Sequence, residues 1–492
     1  MEHQKKQKLF RDPVHNYIAI NADICNKYID TYLFQRLRAI EQTSMRVLYP
    51  GARHDRFIHS LGVFSLACRF FERIKPQFPS DIISGNSIER TFKIAALLHD
   101  CAHSPFSHTG EFFSTHYCLD ELEQDLKTSF SQKLIEDYEM IKKKGKAPST
   151  HEIASAYVAC KSFSRSFKED GVDKEQFARM ITGITNDPID NQAKCYNIFI
   201  RLLNGFIIDV DRLDYLLRDT WASGVNNATV DLERLISGVF VTKDLDDLII
   251  NGTAASSLIN AIKARDFIYR WIIPHHKVTY ASQVLTNAIE ELLDTISCKY
   301  KKSKKEVACA LFGYKTLLEE VKLGDEYLYM PTDGDVIYLM KKYCPKNDYA
   351  QEVLTRQFSY EPIWKSVTDF ISLFPYPSDF NARKKSEFYD YFLGKVQEFN
   401  KTNNNILQIS EKKTIKVTEN DLKSIKVISS SIPTKRKELD FIPMVGSPPD
   451  LTIYFYVYRK KDCPKSKEDI YNIIESLYSE CIQELQGNFL NV

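Results

Sequence analysis

An apolar helix that ends in histidines and acids constrains this chain more than any other segment. The segment is Ile94–Glu111, and it opens with the apolar run Ile94–Leu98. Three histidines and two carboxylates follow within the same segment. Buried apolar helices rarely end in ionisable groups unless those groups bind or react with something. The segment therefore predicts a buried helix that carries polar groups to a metal ion or a reacting phosphate.

The composition of the whole chain is that of a globular protein with balanced charge. The 492 residues allow about two to four domains, and 43% hydrophobic residues allow a sizeable core. The 66 basic and 65 acidic residues give a formal net charge of +1. Because no global field attracts polyanions, nucleic acid is not expected as a partner, and any anion site must be local.

Cysteine usage and hydropathy predict a cytoplasmic protein. The 11 cysteines are scattered and include no CxxC pair, which is typical of reduced thiols. Residues 1–6 lack the apolar core of a signal peptide. No apolar run reaches the length of about 18 residues that a membrane span needs, so no membrane partner is expected.

Hydrophobic periodicity predicts a mainly α fold. Helices are expected near 21–40 and at 54–74, 91–104, 119–148, 195–218, 256–297, 335–342, 349–358 and 467–485, with a further helix carrying His151 behind a Ser149 or Thr150 cap. Strands are expected at 17–20, as a pair within 232–247, and in 402–460, notably 414–418 and 451–458. We expect a helical core over 1–290 and a mixed α/β C-terminal lobe over 291–492 that serves oligomerisation or regulation.

Four side chains on three predicted helices form a candidate metal-ligand set, namely His59, His99, Asp100 and Asp211. A hard or borderline divalent ion takes nitrogen and oxygen ligands, and two imidazoles with two carboxylates supply them. On a helix, His99 and Asp100 would point about 100° apart, and two flanking helices can bring His59 and Asp211 to the open sides. The set suits Mn, Fe, Zn or Co without choosing among them. A lone His-Asp pair is commonly structural, so the prediction depends on the whole pattern.

This order of residues resembles the signature of the HD-domain phosphohydrolases, and more narrowly the dGTPase-like dNTP triphosphohydrolases. The matching segments are residues 12–15, 34–38, 49–52, 56–62, 98–108, 150–152 and 208–215. The resemblance implies an HD-domain helical core, and it is loose over the C-terminal part. Animal members carry a sterile alpha motif before this core, and none is expected here because the matching segments start almost at Met1.

The resemblance implies hydrolysis of a dNTP to the deoxynucleoside and inorganic triphosphate. A water activated by the metal attacks the α-phosphorus, and an imidazole protonates the leaving 5′ oxygen. Carried over to this chain, His108 is the acid, and Glu111 orients or charges it. His151 then lies at the α-phosphate, and His103 contacts the phosphate or supports the metal shell. Each of these histidines can instead be structural. Mg²⁺ is expected with the substrate triphosphate.

The resemblance also implies residues that bind the substrate. Arg56 and Arg212 fall where the family binds phosphate, and Arg212 replaces a lysine that is common there. Tyr215 and Asp219 fall on one helix face, where the family contacts the sugar, with Asp219 accepting from the 3′ hydroxyl. The alternative for Asp219 is a surface ion pair with Arg218.

One departure from the family pattern concerns the sugar. Pro274 stands where the family has a tyrosine that packs under the sugar and helps to exclude a 2′ hydroxyl. Tyr269 and Tyr280 are candidates to replace it. Two alternatives therefore stay open: a nucleotidase or phosphodiesterase acting on other nucleotides, and a catalytically silent nucleotide sensor.

Four residues near the N-terminus match an allosteric nucleotide site of the animal members, namely Lys8, Asp30, Gln35 and Arg38. A carboxylate can accept from guanine N1–H and N2–H, and Arg or Gln can engage O6 and N7. The alternative is that these residues only cap and salt-bridge the first helix. The resemblance implies a guanine or other nucleotide activator, a homo-oligomer (dimer or tetramer), and a role in dNTP depletion or phage defence.

Overall fold

Helices dominate the fold and the sheets are small, which confirms the predicted mainly α class. The computed structural model describes residues 6–83, 87–205, 209–225, 230–377, 380, 382–403, 405–414, 426–428, 438–440 and 452–489. The chain divides into two units, of which the first comprises residues 1–265, 289–344 and 418–446. The second comprises residues 266–288, 345–417 and 447–492. The predicted metal, catalytic, substrate-binding and allosteric residues belong to the first unit, whereas Tyr269, Pro274 and Tyr280 belong to the second.

The first unit opens with a hairpin of the strands Gln7–Asp12 and Asn16–Asn21, in which Asp12 lies opposite Asn16. The Asp12 carboxylate accepts the backbone N–H groups of Val14 and His15, each at 2.8 Å, which closes the turn. The strand predicted at 17–20 is therefore confirmed.

The helices follow in chain order. The α-helices are Ala22–Ile24, Tyr32–Gln35, Arg56–Ile74, Ser80–Ile83, Ser87–Leu98, His108–Ser129, Gln132–Lys143, Thr150–Ser162, Ser164–Asp170, Lys174–Thr182, Asn191–Leu203, Val210–Ser223, Leu232–Ser237, Ala255–Phe267, His276–Tyr300, Lys304–Phe312, Asp333–Tyr343, Asp348–Thr355, Val367–Leu373, Ala382–Thr402 and Lys467–Phe489. The π-helical segments are Cys25–Ile29 and Ile268–Ile272, and the 3-10 segments are Arg36–Ala39, Ser44–Val47, Lys75–Gln77, Gly252–Ala254 and Lys315–Leu317.

The remaining sheets are small. One has four strands in the order Glu438–Asp440, Lys426–Ile428, Leu248–Asn251, Val239–Val241, and a two-stranded sheet joins Val321–Leu323 to Glu326–Leu328. The sheet of the second unit places Thr452–Lys460 between Tyr360–Pro362 and Leu407–Thr414, antiparallel to both. In this unit Trp364 Nε1 donates to the Phe455 carbonyl at 2.7 Å within an aromatic core. The strand predicted at 451–458 is confirmed by Thr452–Lys460, with residue 451 outside the described residues. Of the strand predicted at 414–418, only Thr414 is described, as the last residue of Leu407–Thr414.

Two predicted helices end earlier than expected. The helix predicted over 91–104 ends at Leu98, and His99 and Asp100 lie in the following turn, where the Cys101 and His103 N–H groups bond to the carbonyls of Leu98 and Asp100. The placement of both residues on a helix was therefore wrong.

The helix predicted over 195–218 is also wrong as one element. It is two helices, Asn191–Leu203 and Val210–Ser223. Asp209 caps the second helix by accepting the Arg212 N–H at 2.7 Å, so the chain restarts a helix at that point. Ile208, which precedes this cap, lies outside the described residues.

Smaller differences have local causes. The helix predicted over 119–148 is divided between Ser129 and Gln132, where the Ser131 side chain caps the second part. The helix that carries His151 has Ser149 as its N-cap, as predicted, in a capping box with Glu152. Cys118 and Cys309 are paired in a disulfide with Cα atoms 5.7 Å apart, so the expectation of reduced thiols is wrong for this pair. No helix in the described part of the chain has the length and apolarity needed to cross a membrane.

Buried His276 predicts acid sensitivity in the second unit. Burial and the neighbouring His275 lower the pKa of His276 to about 4, against a carbonyl contact from Lys365 that raises it. The unfolded chain binds this proton below about pH 6.5, so stability should fall as the pH drops from there towards the folded value. We expect the thermal midpoint to fall less steeply for His276→Gln than for wild type between about pH 7.5 and 5. The exposed His116→Gln should retain the wild-type slope; equal slopes in all three proteins would contradict the prediction.

Candidate active site

Three chain segments bring the predicted metal ligands together. Asp55 caps the Arg56–Ile74 helix by accepting the Ile58 N–H at 2.9 Å, and this helix buries His59 completely. Asp211 comes from the first turn of the Val210–Ser223 helix, which packs against the helix of His59. His99 enters from the turn after Leu98. A structure that buries two imidazoles beside a carboxylate offers a metal-binding pocket.

The ligand atoms converge closely. His59 Nε2 lies 2.9 Å from Asp211 Oδ1, and His99 Nε2 lies 3.7 Å from the same oxygen. The Asp100 Oδ2 atom lies 3.7 Å from His59 Nε2 and 3.5 Å from His99 Nε2. Ligand atoms of His59, His99 and Asp211 all lie within 4.8 Å of one another, a spacing that one ion can bridge.

The donor set fits a divalent ion. The Nε2 atoms of His59 and His99 are buried, and apart from their approach to Asp211 and Asp100 neither has a hydrogen-bond partner among the described residues. Buried imidazole nitrogens are rarely left in this state unless they serve a ligand. Burial opposes ionisation of Asp211, but His59 and His99 hold the pKa of its carboxyl well below the usual range. The carboxylate is therefore available as an anionic ligand.

Asp214 orients His59, a candidate metal ligand, in a role that the sequence did not indicate. His59 Nδ1 donates to Asp214 Oδ2 at 2.7 Å, and His15 Nε2 donates to Asp214 Oδ1 at 2.6 Å. Arg218 Nε also donates a hydrogen bond to Asp214 Oδ2, at 2.8 Å, and Arg218 Nη1 donates to Asp12 Oδ2 at 2.8 Å. A carboxylate behind a metal-binding imidazole fixes its tautomer and aims the other nitrogen at the ion. The only signal in the sequence was that His15 and Asp214 fell inside matching segments.

Gly62 shows how tightly this network is packed. Glycine costs about 1 kcal/mol in a helix interior relative to alanine, so its presence within Arg56–Ile74 needs a reason. A Cβ at Gly62 would overlap Asp214 and Arg218, with the Asp214 Cγ only 2.6 Å away. The helix can therefore approach the buried ion pair only with a glycine at this position.

Gly62→Ala is expected to destabilise the protein by about 3 kcal/mol or more, because the methyl group must displace a buried charged pair. Chemical unfolding followed by circular dichroism measures this change. The matched control is Gly394→Ala in the Ala382–Thr402 helix, where a Cβ meets nothing within 4 Å. We expect the control to be neutral or stabilising by up to about 1 kcal/mol. Equal effects of the two substitutions would contradict the packing argument.

A second cluster joins the four predicted catalytic residues, His103, His108, Glu111 and His151. Glu111 Oε2 accepts from His108 Nδ1 at 3.0 Å, and Glu111 Oε1 accepts from His151 Nδ1 at 2.7 Å. The rings of His103 and His151 stack with centroids 4.3 Å apart. One carboxylate thus holds two imidazoles, one more than the sequence had suggested.

The surroundings of His151 and His103 favour different protonation states. Burial opposes protonation of His151, but Glu111 raises the pKa of His151 to about 9. Burial and the adjacent Arg56 lower the pKa of His103 well below its usual range. Neither ring nitrogen of the fully buried His103 has a partner among the described residues. The cluster therefore presents a charged imidazole beside a neutral one whose nitrogens are available to a ligand.

The predicted substrate residues occupy different environments. Arg56 is buried, with its Nη1 2.5 Å from Asp100 Oδ2 and its Nε 3.0 Å from Ser107 Oγ. Arg212 and Tyr215 are half-buried, and Arg212 Nε lies 3.4 Å from Asp209 Oδ2.

Asp219 is buried against a histidine. Its Oδ1 atom bonds to His54 Nε2 at 2.7 Å, a partner that the sequence did not indicate. Arg218 is fully buried and bonds to Asp214 and Asp12, so the alternative of a surface pair between Arg218 and Asp219 is wrong.

The four residues of the predicted allosteric site form two adjacent pairs. Lys8 Nζ lies 2.5 Å from Asp30 Oδ2, and both side chains are partly exposed. Arg38 Nε donates to Gln35 Oε1 at 2.9 Å, while the guanidinium of Arg38 lies over the ring of Phe57. Their polar groups already satisfy one another, so a nucleotide would have to replace some of these bonds.

Comparisons with known proteins agree with this architecture. The HD domain family model matches residues 56–188. The chain is 29% identical over 288 residues to the protein YwfO of Bacillus subtilis, covering 58% of this chain and 55% of YwfO. It is 28% identical over 368 residues to the deoxynucleoside triphosphate triphosphohydrolase SAMHD1 of Gallus gallus, covering 70% of this chain and 54% of that protein. The chain thus spans little more than half the length of these curated relatives.

Solved structures show the same fold. A hypothetical protein from Aquifex aeolicus superposes with a TM-score of 0.61 at 20% identity, covering 96% of this chain and 100% of that one. A phosphohydrolase from Bacteroides thetaiotaomicron gives a TM-score of 0.60 at 20% identity, covering 93% and 100%. The human SAMHD1 protein is 26% identical over 378 residues, covering 74% of this chain and 55% of its own. Residues 56–188 therefore match the HD domain family, and the homologues of the chain include the deoxynucleoside triphosphate triphosphohydrolases named SAMHD1.

Proposed function

We propose that the chain is a metal-dependent dNTP triphosphohydrolase that releases deoxynucleoside and inorganic triphosphate. One observation carries this proposal: Asp100 lies between the two histidines of the candidate metal-ligand set and His151 of the histidine cluster. Its Oδ2 atom faces His59 and His99, and its Oδ1 atom lies 3.9 Å from His151 Nε2. A phosphate ester placed beside Asp100 would therefore face a metal on one side and proton donors on the other.

The residues divide the work as follows. His59, His99, Asp100 and Asp211 would hold the ion, which supplies Lewis-acid activation of water and of phosphate oxygens. His151 and Arg56 place positive charge beside the α-phosphate. His108, which is 71% exposed in its side chain, donates a proton to the leaving 5′ oxygen, and Glu111 orients it. Arg212 then binds phosphate, and Tyr215 and Asp219 contact the sugar. The ion is Mn, Fe, Zn or Co, with Mg²⁺ on the substrate triphosphate.

Product identification tests this function directly. Purified protein is incubated with each dNTP and each NTP, with Mn²⁺, Co²⁺, Zn²⁺ or Mg²⁺, and the products are resolved by anion exchange. We expect triphosphate and deoxynucleoside from at least one dNTP. Monophosphate, pyrophosphate or oligonucleotide cleavage without triphosphate would support the nucleotidase or phosphodiesterase alternative. Comparing dNTP with NTP turnover in wild type and Pro274→Tyr tests whether Pro274 relaxes sugar discrimination.

We propose in addition that a guanine or other nucleotide binds at Lys8, Asp30, Gln35 and Arg38 and activates a homo-oligomer. Lys8 pairs with Asp30, Arg38 pairs with Gln35, and Gln35 Nε2 also donates to the carbonyl of Ile29, the residue before Asp30; these contacts support the assignment. GTP should raise turnover and the mass seen by light scattering in wild type, and Asp30→Ala should lose both responses. Asp23→Ala, which removes an exposed carboxylate paired with Lys27, is the control and should retain both. A response to GTP that survives Asp30→Ala would contradict the assignment.

A further inference from the structure

The turn before His108 has a backbone conformation that needs external support. Phe106 and Ser107 have φ angles of 60° and 52°, in the left-handed region that non-glycine residues rarely adopt. The next residue, His108, begins the His108–Ser129 helix. Such strain persists only where surrounding contacts determine it, and it is common at functional sites. The direction in which His108 leaves this turn therefore depends on what holds the two residues.

Asp333 holds this turn from a distant part of the chain. Its Oδ1 atom accepts the Phe106 N–H at 2.6 Å, and its Oδ2 atom accepts the Glu41 N–H at 3.0 Å. The Ser107 hydroxyl donates to the Glu41 carbonyl and accepts from Arg56 Nε. One carboxylate thus joins the strained turn to the segment around Glu41, which Ser107 contacts in return.

Arg36 makes a parallel connection between the same three segments. Its side chain is buried, and it donates from Nε to the Pro331 carbonyl at 2.8 Å and from Nη2 to the His103 carbonyl at 2.9 Å. Burial raises the pKa of Asp333 to about 6, while the N–H groups of Glu41 and Phe106 oppose that rise. A carboxylate is retained in such a place when its hydrogen bonds are needed.

We propose that Asp333 is a positioning residue for the proton donor His108, acting through the strained turn at Phe106 and Ser107. This inference rests on the proposed function of His108. Asp333 lies far from His108 in sequence and outside the segment matched by the HD domain model. Its effect on catalysis passes entirely through the direction of the His108 side chain.

Kinetics of three variants test the proposal. Asp333→Ala should lower kcat by about 10- to 100-fold, because a misplaced acid loses much of its advantage. KM and bound metal should change by less than about threefold, because no substrate or metal contact is removed. Asp333→Asn retains one acceptor oxygen, so its kcat should lie between those of wild type and Asp333→Ala. This variant keeps the proposal testable if the alanine variant folds poorly. Asp335→Ala is the matched control: Asp335 belongs to the same helix start but bonds to Thr332, and kcat should stay at the wild-type value.

A double-variant cycle separates positioning from general destabilisation. If Asp333 acts through His108, then His108→Gln with Asp333→Ala should be no slower than His108→Gln alone. The proposal would be overturned if the reductions in kcat caused by the two single substitutions multiplied in the double variant. It would also be overturned if Asp333→Ala lost bound metal in parallel with kcat.

A second measurement does not depend on turnover. In ¹H–¹³C spectra of histidine Cε1–H groups, the His108 resonance should shift or broaden in Asp333→Ala and stay unchanged in Asp335→Ala. An unchanged His108 resonance in Asp333→Ala would overturn the proposal even if the wild-type protein released no triphosphate. Absence of triphosphate from wild type, with the resonance changed as expected, would instead count against the proposed function and leave the positioning role standing.

Discussion

Asp211→Ala is expected to abolish both metal retention and phosphohydrolysis. Asp211 places a carboxylate oxygen 2.9 Å from His59 Nε2 and 3.7 Å from His99 Nε2, so its loss removes an anionic ligand from the set. Elemental analysis of the purified variant should find well under one ion per chain, and turnover should be undetectable. Wild type should also gain thermal stability on addition of Mn²⁺, by about 2.7 kcal/mol at a hundredfold excess over Kd, and the variant should gain none.

The control for this prediction is Asp187→Ala. Asp187 is an exposed carboxylate that pairs with Lys133 outside the pocket. Its removal should leave metal content, turnover and the response to Mn²⁺ unchanged. Full metal content in Asp211→Ala would show that the ion is held elsewhere, and the cluster of His103, His108, Glu111 and His151 would then be the next candidate.

His108→Gln is expected to lower kcat by about 10²- to 10⁴-fold, the usual contribution of a general acid. The substitution leaves the metal-ligand set untouched, so metal content should equal that of wild type. Glu111→Gln should also lower kcat. The reduction should be larger than the loss of one hydrogen bond would cause, because Glu111 bonds to both His108 and His151. Steady-state kinetics on the best dNTP measure both effects.

The leaving group provides the sharpest check on the role of His108. An aryl triphosphate with 4-nitrophenol in place of the deoxynucleoside departs without needing a proton. His108→Gln should therefore lose far less activity on this compound than on a dNTP. Equal losses on both substrates would show that His108 binds or organises the site instead of donating a proton.

The sequence predicted most of the helices because their apolar periodicity is strong. Arg56–Ile74 lies close to its predicted bounds, and the helix that carries His151 begins at Thr150 behind Ser149, one of the two predicted caps. The errors fall where tertiary contacts override local pattern. The apolar run towards His99 continues past the true helix end, because the turn at Leu98 is stabilised by backbone bonds and by Ser155, which caps the Ala102 N–H.

In the candidate site too, the sequence indicated some residues and only the tertiary contacts revealed others. Residue types and their order indicated His59, His99, Asp100 and Asp211, because metal ligands and acids are recognisable by chemistry and spacing. The residues that hold these groups in place could not be assigned from the sequence. Asp214, which bonds to His59, has the pattern of an ordinary acid in an amphipathic helix, and only the fold places it beside His59.

The sequence by itself therefore determined the kinds of groups at the site, the mainly helical class and the resemblance to HD-domain enzymes. Only the tertiary structure decided which groups meet: Glu111 with two histidines, Asp214 with His59, and Asp333 with the turn before His108. The physical reason is that a side chain's chemistry is local, whereas its hydrogen-bond partner depends on how distant segments pack. Asp333 and Phe106 are 227 residues apart, a separation at which no local pattern can signal a contact.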